Sequence, residues 1–209
     1  MGIILDRIGK TFGRRVILRD VSFEVERGGS MAVTGRNGSG KSTLLKIAAG
    51  LLRPTSGEVR YALDGVEIAR DALLHSVGFM APYINLYDEF SADENLRFFA
   101  KARGIAMTVS ERSKLIGRVG LDALRRDPLR AYSSGMKQRM KLAFAIMHNP
   151  AFLLLDEPST NLDSEGIEMM HRVVNEYRAR ACVIIATNDP ADMMLCDTAY
   201  PVHGDVEQL

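Results

Sequence analysis

Apolar positions along this chain change period from strand-like to helical and back again. Ile3-Ile4-Leu5 is apolar, and Val16 to Val25 alternates loosely with Ser22 and Glu24 at polar positions, so both stretches predict strands. Gly28-Gly29 turns the chain, and Met31-Ala32-Val33 predicts a short buried strand. From Lys41 to Ala49, Leu44, Leu45, Ile47 and Ala48 follow a helical spacing that Gly50 and then Pro54 close. From Ala92 to His148 the pattern is mostly helical: Leu96, Phe98, Phe99 and Ala100, then Leu115, Ile116, Val119 and Leu121, then Met140 to Met147. After Pro150 buried-strand signals return in Phe152-Leu153-Leu154-Leu155 and Val183-Ile184-Ile185-Ala186, separated by a helix of about 15 residues. Apolar strands separated by helices predict an α/β fold with a parallel sheet covered on both faces. A helical insertion, roughly 83–148, interrupts it. Neither an internal repeat nor a low-complexity linker divides the chain, so a single domain over 1–209 is expected, its core formed by 1–82 and 149–209.

Composition narrows the function. With 209 residues, 46% of them hydrophobic, the chain can bury roughly 70% of its unfolded surface without covalent staples. The 27 Lys and Arg against 26 Asp and Glu leave a formal net charge of +1, which argues against nucleic acid as a partner. Cys182 and Cys196 make no disulfide framework, which suits a reducing compartment. The apolar run Leu142 to Met147 is far short of the roughly 18 residues a membrane span needs. Asp6 and Arg7 follow the first apolar stretch directly, so no signal peptide is expected. These features predict a soluble intracellular chain whose dealings with a membrane run through a partner. The histidines His75, His148, His171 and His203 show no metal spacing and read as surface or packing residues, and Arg125 to Arg130 reads as a solvated loop.

Chemistry enters with Gly35-Arg36-Asn37-Gly38-Ser39-Gly40-Lys41-Ser42, which fits G-x-x-x-x-G-K-[ST]. Glycines let such a loop curl so that successive N–H groups face phosphate oxygens, and the helix opening at Lys41 adds its N-terminal dipole. Lys41 supplies a mobile charge for the β- and γ-phosphates, and the Ser42 hydroxyl can ligate Mg²⁺. The loop follows a predicted strand and opens a predicted helix, as the motif requires. At the end of the Phe152 strand, Asp156-Glu157 places two carboxylates where open α/β sheets bind ligands. A solvated strand end is the commoner fate of such a pair. Beside a phosphate loop, Asp156 reads as a Mg²⁺ ligand and Glu157 as the group that polarises an attacking water.

Further residues resemble one family. Tyr132-Ser133-Ser134-Gly135-Met136-Lys137-Gln138-Arg139 is similar to the signature of ABC ATPases, which usually reads L-S-G-G-Q-x-Q-R. Leu155-Asp156-Glu157-Pro158-Ser159-Thr160-Asn161-Leu162-Asp163 resembles their Walker B segment and D-loop, and Gly50 to Gly57 resembles the stretch after their phosphate loop. The order and spacing fit from about residue 3 to residue 205. The resemblance implies a P-loop NTPase (RecA-like) core with an N-terminal antiparallel β subdomain and an inserted α-helical subdomain. It implies ATP and Mg²⁺ as ligands, with Thr43 and Asp163 added to the nucleotide contacts. It also implies a head-to-tail dimer, either homodimer or pseudo-dimer, that sandwiches ATP between one subunit's phosphate loop and Ser133, Ser134 and Gly135 of the other. The bland reading of Ser133, a helix N-cap, is compatible with that role. Phe12 stands where the family stacks an aromatic on adenine, though an ordinary strand aromatic fits there too.

The same resemblance implies an ATP-hydrolysing subunit of an ABC transporter, held on the cytoplasmic face of a membrane by a separate permease. The compact length, with no regulatory C-terminal domain expected, and this version of the signature are similar to the haem-exporter ATPases of cytochrome c maturation. Pro82 replaces the family's usual Gln after Val77-Gly78-Phe79-Met80-Ala81, and Asn188 replaces its switch His, leaving Asn188 with Glu157 and Lys41 in the catalytic set. Asn can hydrogen-bond a phosphate oxygen but carries no positive charge. A non-transport ABC switch, or a nucleotide-binding regulator with little turnover, is the alternative. The segment Ala81 to Phe90 carries Tyr83, Ile84, Leu86, Tyr87 and Phe90, too apolar a load for a loop that only connects, and is expected to meet the permease.

Overall fold

The computed structural model describes residues 2–63 and 65–203, so residue 205 and the last residues of the expected core segment lie outside it. In chain order the strands are β1 (Gly2–Phe12), β2 (Arg15–Glu26), β3 (Ser30–Thr34), β4 (Ser56–Leu63), β5 (Val66–Glu67), β6 (Val77–Met80), β7 (Phe152–Asp156), β8 (Cys182–Ala186) and β9 (Thr198–Pro201). The helices are α1 (Lys41–Ala48), α2 (Arg70–Leu73), α3 (Ala92–Ala102), α4 (Val109–Arg118), α5 (Ser134–Ile146), α6 (Ser164–Arg178) and α7 (Pro190–Met193).

The buried strands β6, β7, β8 and β3 and the exposed edge strand β9 assemble into a parallel sheet of order β6-β7-β8-β3-β9, and β1, β2, β4 and β5 form a separate antiparallel sheet of order β2-β1-β4-β5. Along β7 the side chains alternate between two cores, as the two-residue strand period requires. Leu153 and Leu155 face the helical side with Met140, Leu142, Met170 and Val174. Phe152 and Leu154 face α1 and the antiparallel sheet with Leu44, Leu45, Ile3 and Leu5. The expected architecture, a parallel core with an antiparallel N-terminal sheet and inserted helices, is therefore present.

Helices α3, α4 and α5 lie in the connection from β6 to β7. Local capping sets two of them: Ser91 with Glu94, and Thr108 with Glu111, form reciprocal capping boxes. Asn95, fully buried, donates to the carbonyls of Tyr87, Phe90 and Ser91 and accepts from the Tyr87 N–H at 2.9 Å, which fixes the entry into α3.

Helix α5 begins at Ser134 behind the cap Ser133, so the N-cap reading of Ser133 is present in the fold, and the apolar run from Met140 forms its second half. Two details differ from the sequence reading. The segment after Arg125 is less solvated than expected: Leu129 is buried in a short 3₁₀ turn over 129–131, and Arg125 lies over the Tyr132 ring at 4.9 Å. Strand β9 gave no signal because it is largely exposed, an edge strand where Pro201 costs no ladder bond. His148 does pack: its Nε2 is 2.9 Å from the Val77 carbonyl oxygen.

Candidate active site

The phosphate loop connects β3 to α1. Gly40 is the N-cap of α1 with φ 106°, and no side chain caps that end, so the first N–H groups of the helix are left for a ligand. A Cβ on Gly40 would sit 3.0 Å from Ile17 and Leu18, so the β1–β2 hairpin presses directly on the loop. Phe12, at the end of β1, is half exposed on that hairpin with Lys10 Nζ 4.9 Å from its ring centre. Residues Gly35 to Ser39, Arg36, Asn37 and Gly38 among them, line one wall of a cleft of about 650 Å³ whose other wall is Pro201 to His203.

Lys41 is buried at 6% exposure, yet its ammonium donates to the Gly35 carbonyl at 2.7 Å and reaches the Arg36 carbonyl at 3.4 Å. Its Nζ lies 4.0 Å from Glu157 Oε1. Ser42 follows, near enough to Asp156 for its hydroxyl to favour the charged carboxylate, and Thr43 is part-buried. The pairing of β3 and β7 to β8 brings loop and carboxylates to the same, C-terminal edge of the sheet.

Burial raises the Asp156 carboxyl above its ordinary range, against the opposing effects of Ser42, Lys41 and Lys46. Burial likewise raises Glu157, opposed by Lys41 and assisted by the negative charges of Asp156 and Asp192. Asp156 Oδ1 is buried without a hydrogen-bond partner among the described residues, as is Ser39 Oγ on the loop. An orphan carboxylate oxygen beside a hydroxyl is an all-oxygen donor set that suits Mg²⁺. Glu157 itself has φ 49°, the left-handed region that a non-glycine residue rarely adopts. Its N–H donates to the Ala186 carbonyl at 2.8 Å, which holds the turn against β8.

Asn188 reaches the loop: its Nδ2 donates to Asn37 Oδ1 at 2.9 Å. Ser133 caps α5, its Oγ accepting from the Met136 N–H at 3.1 Å, and both Ser133 and Ser134 are exposed. Gly135 approaches the following loop so closely that a Cβ would lie 2.8 Å from the Asn161 carbonyl oxygen. Asp163 is the N-cap of α6, accepting from the Gly166 N–H at 2.9 Å and pairing with Arg139 at 2.8 Å. Ser133, Ser134, Gly135 and Asp163 thus share a region around α5 and show no contact with this chain's own phosphate loop. Pro82, at the end of β6, accepts from Lys141 Nζ through its carbonyl at 2.5 Å.

Gln138 had no role assigned from sequence. It is buried, and its Nε2 donates to the carbonyls of Glu157 (3.2 Å) and Pro158 (3.0 Å). Helix α5 therefore grips the backbone of the strained carboxylate turn. The signal was the helical register after Ser133, which turns Gln138 and Arg139 inward together.

Comparison with known proteins gives the family. The ABC transporter family model matches residues 18–160. The chain is 31% identical over 184 residues to the lantibiotic transport ATP-binding protein SrtF of Streptococcus pyogenes, covering 88% of this chain and 78% of that one. It is 34% identical over 177 residues to the cytochrome c biogenesis ATP-binding export protein CcmA of Cupriavidus pinatubonensis, covering 84% and 78%. Its fold matches the dimeric structure of MJ0796, a bacterial ABC transporter cassette, with TM-score 0.83 and 26% identity over 96% of this chain and 94% of that one. The same cassette is also known as a dimer in a post-hydrolysis state bound to ADP and Pi, with TM-score 0.82 and 25% identity over the same shares. The chain belongs to the ABC transporter family, as an ATP-binding domain of the ABC ATPase type.

Proposed function

We propose that this chain binds and hydrolyses ATP to drive a separate membrane permease, as a peripheral subunit on the cytoplasmic face. The observation that carries the reading is the junction of phosphate loop and carboxylate turn, where Lys41 stands 4.0 Å from Glu157 beside the buried Asp156. No helix among the described residues is long and apolar enough to cross a membrane, so the transport path belongs to a partner.

In this reading the N–H groups at the start of α1 and the loop Gly35 to Ser42 hold the phosphates, with Thr43 behind them. Lys41 exchanges neutral loop carbonyls for anionic phosphate oxygens, a stronger charge-assisted bond. Ser42 and Asp156 would hold Mg²⁺, which neutralises charge on the phosphates when bound. Glu157 takes the proton of a water as its oxygen attacks the γ-phosphorus and the bond to the ADP oxygen breaks. Its raised proton affinity brings it nearer to neutral pH, where a base works best. Asn188 hydrogen-bonds the γ-phosphate, and Phe12 stacks on adenine.

Ser133, Ser134, Gly135 and Asp163 serve a second ATPase subunit in a head-to-tail dimer. Support comes from the exposure of Ser133, Ser134 and Asp163 and from the dimeric cassette this fold matches. Segments 1–82 and 149–209 act as the nucleotide-binding core and 83–148 as the helical subdomain. Tyr83 and Tyr87, each nearly half exposed, present rings to the permease, and Tyr87 belongs to an aromatic cluster with Phe90, Phe98 and Phe99. Pro82 and Asn188 favour one further reading, a nucleotide-binding regulator with little turnover.

Phosphate release measured on the parent and on Glu157→Gln, alone and with the co-purified permease, decides between them. Turnover in the parent and its loss in the variant, with ATP binding retained, support the ATPase. Binding with no turnover in either preparation supports the regulator.

A further inference from the structure

Asp192 is 1% exposed on helix α7. The local sequence Asp189-Pro190 brings it there. Asp189 Oδ1 accepts from the Ala191 N–H at 2.7 Å, Pro190 occupies the first turn, and the chain doubles back at the end of β8. One carboxylate oxygen of Asp192, Oδ1, accepts from Ser159 Oγ at 2.5 Å and lies 3.2 Å from His171 Nε2. The other, Oδ2, accepts from Thr187 Oγ1 at 3.2 Å. Thr187 Oγ1 also accepts from the Asp189 N–H at 3.0 Å. Ser159 and Thr187 are themselves buried, so the bridge is shielded from water.

The placement of the two hydroxyls gives the bridge its meaning. Ser159 closely follows Glu157 on the turn after β7, and Thr187 immediately precedes Asn188 after β8. These loops come from different strands, and each carries one group of the candidate site. An aliphatic side chain at 192 could fill the space under α7 without the cost of burying a carboxylate, but it would leave both hydroxyls without their acceptor. It could not accept from both hydroxyls at once. The carboxylate is also near enough for its charge to act on Glu157.

We propose that Asp192 is a positioning residue for hydrolysis: it ties the Glu157 turn to the Asn188 turn, so that base and amide keep a fixed spacing about the γ-phosphate. The proposal rests on the roles given to Glu157 and Asn188 above, and its test separates the two.

Asp192→Leu should lower kcat roughly 10- to 100-fold, the cost of misplacing a reacting group, while nucleotide affinity stays unchanged. Asp192→Asn should recover most of that loss, since the amide keeps Oδ1 and a hydroxyl can accept as well as donate at the other arm. Ser159→Ala and Thr187→Val each break one arm, so their combination should cost no more than the larger single loss. Hydrogen exchange on the nucleotide-free protein reads the bridge without turnover. Thr187→Val should speed exchange at 157–160 as well as at its own loop. Parent-like kcat in Asp192→Leu, additive losses in the double variant, or unchanged exchange at 157–160 would each overturn the proposal. A parent that never hydrolyses ATP overturns the functional reading instead, and the exchange measurement then decides the bridge alone.

Discussion

Lys41 Nζ stands 4.0 Å from Glu157 Oε1, joining the helix that follows the phosphate loop to the turn that closes β7. The ammonium is also bonded to the loop carbonyls of Gly35 and Arg36, so it is already aimed where phosphates would lie. Lys41→Ala should weaken ATP binding roughly 10- to 100-fold, the worth of one or two charge-assisted hydrogen bonds. A calorimetric titration showing parent affinity would remove Lys41 from the site.

The raised Glu157 carboxyl has a stability consequence whose sign is fixed. Burial is its largest cause, so the folded chain holds this proton to higher pH than the unfolded chain does. Stability therefore declines as pH rises from the ordinary carboxylate range through the raised value, and the deficit persists above it. Glu157→Gln, neutral throughout, should raise the Tm of the nucleotide-free protein at pH 7. The gain should vanish below the ordinary carboxylate range. A lower Tm for the variant at neutral pH would contradict this account.

Ser133 is exposed and caps α5. Ser133→Arg removes a cap worth about 1 kcal/mol, which leaves the monomer folded. It also sets a long cation where the proposed dimer admits only small groups. Sizing in ATP should show a monomer that still binds nucleotide. A variant that dimerises like the parent would refute the interface.

Tyr83 lies under Lys46 Nζ at 4.0 Å and Tyr87 stacks on Phe99 at 5.7 Å, yet each stays nearly half exposed. Replacing both with Ser should leave basal ATPase intact and reduce co-purification with the permease. Full co-purification with unimpaired transport would assign both rings to packing alone.

His148 is held neutral. Burial, with the positive Arg103 beside it, lowers its pKa to about 4, although the bond to the Val77 carbonyl opposes the shift. The unfolded chain takes up this proton nearer pH 6.5, so stability should fall between pH 6.5 and 4 and level off below. The loss is on the order of 2 kcal/mol after allowing for partial exposure. His148→Gln should flatten that slope in denaturant titrations at several pH values. An equal slope would place the acid sensitivity elsewhere.

Much of the architecture was legible because it is written in local periodicity. Phe152 to Leu155 and Val183 to Ala186 are apolar at every position because both faces of their sheet are covered. The phosphate loop was legible because its chemistry needs fixed residue types at fixed spacing, and the strand before it and helix after it lie where expected. Strands β4 and β9 were silent. β9 is largely exposed and β4 half so, and their pairing with β1 and β3 is a long-range choice that local pattern does not encode.

The sequence by itself determined the phosphate loop, the Asp156-Glu157 pair and the alternation of buried strands with helices, since each depends on neighbours in the chain. Only the tertiary structure decided which residues meet. Gln138 on the backbone of Glu157, Asn188 on Asn37, and Asp192 between Ser159 and Thr187 all join segments distant in sequence. A buried donor or acceptor must find a partner wherever packing brings one. Packing is a property of the whole folded chain, so no stretch read alone could have named those pairs.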